Sequence, residues 1–415
     1  MKKLSSALFP LALMAGILLL ANSCRKDHDE DSPQSNIFTQ KLQTLVNTSL
    51  ADYKVKYPDF PGGIALEVIS KQGTYFVSAG MGTVTNQVRF RAASNTKTLT
   101  ATAILLLYQQ GKLDINKKLT DTIPGTQEPY LPNTAEFNIP YKSSITILDV
   151  LRHRAGIFDV SNDNIPDTVS VPVPYKGQNY IDFMLAQDLT HTFTFDELVG
   201  AVSTCRLFYF PPNTAYHYSN TGYSILGKII ERVSQTTYQQ YLVENVITPM
   251  GMNHSTMPVS GTDQTIPSPF ASGYILLPDT LINATLSNIS ANVAEGTLIT
   301  TPDDLGHFLR KLITGNGVLN PHIVNTVMLD CLSTSSANAG SYGCGIGYTN
   351  NLGYGHTGAH AGYLSEMAHD PASGFTVVVF TNCWNEKTQM TSLYDEMTSL
   401  LENNCYEAKQ LFTGK

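Results

Sequence analysis

Ser94 and Lys97 stand three positions apart in Phe90-Arg91-Ala92-Ala93-Ser94-Asn95-Thr96-Lys97, just ahead of an apolar run from Leu99 to Leu107. A helix starting at or just before Ser94 puts the two on one face, one turn apart, with Gly111 at its expected stop. A hydroxyl is a poor nucleophile at neutral pH, and a buried amine beside it can take its proton or tune the base that does. The spacing alone does not decide, because Ser23 and Lys26 share it. A capping serine with a solvated lysine would give the same pattern.

Two later stretches carry complementary chemistry. In Tyr216-His217-Tyr218-Ser219-Asn220, Tyr218 and Asn220 are two apart, so on extended backbone they point the same way. A lysine near Tyr218 would favour its phenolate, and the Asn220 amide offers a donor and an acceptor to a substrate amide. In Gly355-His356-Thr357-Gly358-Ala359-His360-Ala361-Gly362, small residues let a ligand approach the backbone closely. His356 and His360 are not read as metal ligands, since on a strand they lie roughly 13 Å apart. Tyr348-Thr349-Asn350 repeats the Tyr-x-Asn spacing in a glycine-rich turn with no helix after it, and is read as structural.

The elements that must hold these residues follow from periodicity. A helix is predicted over Phe38 to Tyr53, then a hairpin of Ile64 to Ile69 and Thr74 to Ser78 around Lys71-Gln72-Gly73. Thr146 and Asp149 form a capping box for a short helix through Leu151, and Thr194 caps another through Thr204. Residues 158–192 read as an irregular excursion, equally a surface insertion or a functional loop. The strands Leu364 to His369 and Phe375 to Phe380 flank a turn at 370–374, and a closing amphipathic helix is predicted from Lys387 to Glu402.

The N-terminus reads as a secretory signal over 1–23: basic Lys2-Lys3, an apolar run from Ala7 to Ala21, then Asn22-Ser23 before Cys24. Cys24 after small residues reads as a lipidation site, though Asn22 is unusual there, and residues 24–36 as a charged tether. An incidental cysteine after a cleaved signal is the other reading. The expected location is therefore the cell envelope, as an outer-membrane lipoprotein held to the membrane only through its lipid. Of 415 residues 42% are hydrophobic and 14% charged, with a net charge of −8, which fits a globular chain with a sizeable core. No basic cluster in the mature chain points to nucleic acid. The six cysteines include no close pair with zinc-ligand spacing, and the sequence assigns no disulfide.

Ser94-Asn95-Thr96-Lys97, Tyr218-Ser219-Asn220 and His356-Thr357-Gly358 resemble, in order and separation, the three motifs of the serine β-lactamase and penicillin-binding-protein superfamily. The tyrosine and the histidine look like its class C β-lactamase, DD-peptidase and esterase branch. Supporting stretches are Leu151 to Ile157, Pro211 to Thr214, Gly296 to Leu309 and Tyr342 to Gly347, so the resemblance covers about residues 40–403. It implies an α/β (α+β) fold: an antiparallel sheet flanked by helices from 37–114 and 291–415, plus a mostly helical insert at 115–290. It also implies an acyl-enzyme on Ser94, with Lys97 and Tyr218 as a coupled base. Backbone N–H groups of Ser94 and Ala359 would form the oxyanion hole, and Asn220, His356, Thr357 and Gly358 would bind substrate. No metal or cofactor is expected. The expected partner is a small peptide or ester, peptidoglycan fragments included. Two departures bear on substrate: His356 replaces the lysine of many relatives, and Ala359 lacks a hydroxyl. Both weaken the case for a true β-lactamase. A D-alanyl-D-alanine carboxypeptidase-like enzyme or D-amino-acid peptidase is expected first. An esterase or β-lactamase of the same fold, or a non-hydrolytic penicillin or peptidoglycan binder, remains the alternative.

Overall fold

The structure, a computed structural model, describes residues 33–334, 340–387 and 391–414. The expected signal and Cys24 lie outside the described residues. A helix, Pro33–Lys56, opens the described chain within the stretch expected as tether. Proline suits a helix start, since its missing N–H would have had no partner there.

Among the described residues thirteen strands follow. Before residue 301 are β1 (Ile64–Ser70), β2 (Gly73–Ala79), β3 (Phe90–Arg91), β4 (Tyr274–Leu276), β5 (Leu281–Asn283) and β6 (Ile299–Thr300). The rest are β7 (Leu332–Ser333), β8 (Ser341–Tyr342), β9 (Gly347–Thr349), β10 (Gly353–His360), β11 (Tyr363–Asp370), β12 (Phe375–Thr381) and β13 (Cys383–Asn385). The main sheet is antiparallel, in the order β2-β1-β12-β11-β10-β9-β8-β7. Early and late chain meet where β1 pairs with β12, from Ile64 opposite Thr381 to Ile69 opposite Thr376. The predicted hairpin and the 370–374 turn both form.

Alternation along these strands feeds two cores. Leu66, Val68, Val377 and Val379 pack with Leu42, Val46, Met397 and Leu401 of the two terminal helices. The opposite face, through Ala65, Val378 and Phe380, joins the core around the Thr96–Gln109 helix, where Phe90 stacks on Phe380 at 4.2 Å. The terminal helix runs Thr391–Thr413, later and longer than predicted. Its buried positions Leu401, Cys405 and Ala408 continue a helical stripe past the polar Asn403-Asn404 pair.

The segment expected to be mostly helical contains the capped helices Ile147–Leu151, Phe195–Cys205 and Asn220–Ser234. The Thr146–Asp149 capping box is present. A short helix, Tyr180–Leu185, interrupts the irregular excursion, and β4 and β5 add a small sheet to β13. Of the Tyr348-Thr349-Asn350 repeat, Tyr348 and Thr349 lie in β9 and Asn350 in the turn that follows. Cys205, Cys331, Cys344, Cys383 and Cys405 are free thiols. No helix among the described residues is long and apolar enough to cross a membrane.

Candidate active site

The Thr96–Gln109 helix is buried on every side, every residue from Thr96 to Leu107 included. A helix apolar all round belongs in a core, and Lys97 is carried in with it, fully buried. The solvated-lysine reading therefore fails. Ser94 lies in the preceding tight turn, Ala93–Asn95, and keeps partial exposure.

That turn is strained and clamped. Ala93 has φ +48°, in the left-handed region that costs a non-glycine residue about 1–2 kcal/mol. Asn95 Nδ2 donates to Ala92 O at 2.7 Å and to Ser365 Oγ at 2.9 Å on β11. Thr96 Oγ1 donates to Ala93 O at 2.7 Å and accepts Leu298 N–H at 3.0 Å. Gly358 of β10 packs on the same turn, where a Cβ would fall 2.2 Å from Ala92 O. Each residue of Ser94-Asn95-Thr96-Lys97 thus has its own task, and two of them only hold the turn.

Lys97 Nζ donates to Ser94 Oγ at 3.2 Å, Asn220 Oδ1 at 2.6 Å and Glu295 O at 3.1 Å. Burial pushes its pKa down to about 7, against the opposing pull of the Glu295 and Asp159 carboxyls. Asn220 is the first residue of its helix, and Ser219 caps it by accepting Gly222 N–H at 3.2 Å. Asn220 N–H donates to Asp159 Oδ2 at 3.0 Å, so the excursion's first residues hold the second motif in place.

Tyr218 departs from expectation. Lys97 Nζ lies over its ring, 4.6 Å from the centroid, instead of beside its oxygen. The Tyr218 hydroxyl is buried near Ser94, which favours its anion, but the two do not meet in a well-aligned hydrogen bond. Burial dominates and raises its pKa well above 10, so Tyr218 is a neutral phenol and not the phenolate the sequence suggested. His153 supports it: the ring lies 4.3 Å from Tyr218, and Nδ1 accepts Ser219 N–H at 3.1 Å.

His356 is buried with both nitrogens engaged. Nδ1–H donates to Thr357 O at 2.6 Å, leaving Nε2 to accept the Tyr342 hydroxyl at 2.9 Å. Burial and nearby Lys97 push its pKa down to about 3, so it is a neutral imidazole. His356 and Thr357 line a cavity of about 260 Å³ with Tyr218, Tyr216 and Tyr342. Ser94, Asn220, Glu295, Gly296 and Ala359 line a separate one of about 630 Å³. Beside it, among the described residues, β10 is unpaired on that side beyond Gly355, since β9 pairs only with Gly353–Gly355.

The geometry thus brings Ser94, Lys97, Tyr218 and Asn220 together, with Ala359 on the same cavity, and sets His356 and Thr357 on its neighbour. Glu295 and Asp159 were not identified from sequence, and His153 and Tyr342 fell within supporting stretches without a role assigned to them. The stretch read as a supporting motif began one residue after Glu295, at Gly296. His and Cys, Asp and Glu side chains form no metal-holding group among the described residues.

A family model described as Beta-lactamase matches residues 55–401. Protein flp of Staphylococcus aureus (strain NCTC 8325 / PS 47) is 23% identical over 364 residues, 85% of this chain. The chain spans 64% of flp's own length. Penicillin-binding protein 4 of Amycolatopsis lactamdurans is 25% identical over 352 residues, 78% of this chain and 80% of that one. Among solved structures, a D-stereospecific amidohydrolase from Streptomyces sp. has a TM-score of 0.68 at 23% identity, covering 83% of this chain and 94% of its own. D-amino acid amidase from Ochrobactrum anthropi SV3, complexed with L-phenylalanine amide, also has a TM-score of 0.68, at 22% identity over 89% and 99%. The family match takes in the sheet, the Ser94 helix and the insert alike, and the chain belongs to the beta-lactamase family, a fold family of serine hydrolases.

Proposed function

We propose that the protein hydrolyses an amide or ester through an acyl-enzyme on Ser94, with D-amino-acid peptides and amides as its substrate class. The observation that carries this is Lys97: a fully buried amine 3.2 Å from the Ser94 hydroxyl, with its pKa lowered to about 7. An amine so placed is free in useful fraction at neutral pH. Because Tyr218 is a neutral phenol, Lys97 is the proton acceptor and Tyr218 the relay.

Ser94 Oγ attacks the carbonyl carbon while its proton passes to Lys97 Nζ. The oxyanion is met by the Ser94 and Ala359 backbone N–H groups, a device worth roughly 3 kcal/mol per donor. As the tetrahedral intermediate collapses, the C–N or C–O bond breaks and the leaving group takes the proton by way of Tyr218. Water then attacks the ester, gives its proton to the same base, and Ser94 leaves with a proton regained. Asn220, whose Oδ1 is held by Lys97, presents its Nδ2 to the substrate's carbonyl side.

The substrate class draws support from what faces Ser94. No lysine or arginine lines that cavity, and His356 is neutral with both nitrogens occupied. A substrate ending in a carboxylate, as penicillins and D-alanyl-D-alanine do, would find no cation there. The names of the two solved neighbours, a D-stereospecific amidohydrolase and a D-amino acid amidase, point the same way. We place the enzyme in the cell envelope, following the signal and Cys24.

The test is intact mass of the purified protein after exposure to a D-alanyl phosphonate ester and, separately, to benzylpenicillin, beside Ser94→Ala. A stable phosphonate adduct on the wild type alone is expected. Labelling of Ser94→Ala, or none on either protein, would refute the nucleophile assignment. Rapid hydrolysis of benzylpenicillin would overturn the substrate class.

A further inference from the structure

Glu295 is a buried carboxyl on the wall of the cavity that holds Ser94. Its side chain is fully buried, yet neither carboxyl oxygen has a well-aligned hydrogen-bond partner among the described residues, and only the Ala294 and Glu295 backbone N–H groups lie near enough to favour its charged form. A buried carboxyl left unpaired is costly. Burial raises its pKa, with Asp159 adding to the rise and Lys97 opposing it. Asp159 beside it is not in the same position, because its oxygens take Asn220 N–H, Ser161 N–H and the Asn162 amide. Glu295 also lines the cavity that holds Ser94, together with Asp182, Glu386 and Asn220, and no lysine or arginine shares that wall.

We propose that Glu295 is the counter-ion for a protonated amine of the substrate, so that the site selects amides and peptides with a free α-amino group. This rests on the hydrolase reading above and narrows it. An ammonium carries three donors and one positive charge, which suits two unpartnered carboxyl oxygens in an acid-lined cavity. The α-amine of an amino-acid amide lies two bonds from the carbonyl carbon that Ser94 attacks, so one cavity wall can hold both. Binding has a second effect. Burial raises the Glu295 pKa to about 8, so its carboxyl is mostly protonated in the free protein, and an arriving ammonium draws it to the ionised form, while its backbone carbonyl holds Lys97 Nζ throughout. The groups facing Lys97 are otherwise the neutral Tyr218 and Tyr223, Asp159 and the uncharged His153 and His356.

The experiment compares kcat/KM for D-alanine p-nitroanilide and its N-acetyl analogue, with p-nitrophenyl acetate as a substrate that has no amine. The wild type is expected to prefer the free amine by tenfold or more. In Glu295→Gln that ratio falls towards one, whereas in Glu244→Gln, an exposed carboxyl outside the cavity, it stays within about threefold. Equal use of both anilides by the wild type, or a Glu295→Gln ratio like the wild type's, overturns the proposal while ester turnover keeps the hydrolase reading alive. Binding separates the two readings further. Ser94→Ala should bind D-alaninamide at least tenfold more tightly than N-acetyl-D-alaninamide by calorimetry, and the double variant with Glu295→Gln should not. Failure of that discrimination overturns the proposal even if no substrate is turned over.

Discussion

The pH dependence of acylation tests the base assignment most directly. Lys97 ordinarily would ionise at 10.5, and burial brings it to about 7. At pH 7 roughly half of such an amine is free, against about 0.03% of an unperturbed lysine, a gain of some 1,600-fold in competent base. Folding depresses the pKa because the charged form has lost its water, so the competent form dominates above pH 7 and is lost as pH falls. The expected profile of kcat/KM with p-nitrophenyl acetate, which does not titrate, rises through an acid limb near pH 7 and is flat above about pH 8. His356, held near pKa 3, cannot supply that limb. Tyr218, raised well above 10, cannot either. Lys97→Arg puts a permanently charged group in the same place, and removing a general base costs about 10²–10⁴-fold. Circular dichroism and a denaturant midpoint establish that the variant is folded. A limb at pH 9 or higher, or a folded Lys97→Arg variant with more than a tenth of wild-type activity, would refute the assignment.

Three further outcomes follow from the same geometry. Asn95→Ala strips the nucleophile turn of its bonds to Ala92 O and Ser365 Oγ. We expect a loss of about 2–3 kcal/mol in urea unfolding, from stranding buried acceptors, and slower acylation as Ser94 loses its position. Phe380→Ala removes the ring stacked on Phe90 at 4.2 Å and should cost about 3–5 kcal/mol, read by the same unfolding midpoints. His356→Asn should leave the acid limb of kcat/KM where it is in the wild type, because the imidazole does not titrate near neutrality. A limb displaced by a full pH unit would show that His356 sets it.

How much of this was legible in the sequence depends on how local each cause is. The Ser94 helix, the capping box at Thr146–Asp149 and the β1–β2 hairpin are made by residues a few positions apart, and spacing reads such contacts well. The order of the three motifs carried the fold. What escaped was the set of groups that gather on Lys97 from far along the chain. Asn220 and Glu295 lie 123 and 198 residues away from it, and Asp159 reaches the site through Asn220 N–H. The excursion that begins there was equally a surface insertion or a functional loop by composition. Only its packing against the second motif decides the matter. The phenolate expectation failed for the same reason: two residues on one strand can be said to point together, but not that the ammonium will sit over the ring face instead of the oxygen. The burial of Lys97, by contrast, has a local signal that the Ser-x-x-Lys spacing alone did not use. Thr96 to Leu107 offer almost no polar face beyond short hydroxyls, and Thr98 and Thr102 return theirs to Gly345 O and Thr98 O. A lysine in such a helix has no route to solvent, so its lowered pKa follows from its immediate neighbours. The groups that receive and oppose its charge are set by the tertiary fold, and Glu295, whose oxygens the protein leaves unpaired, is where that fold leaves room for a substrate's own charge.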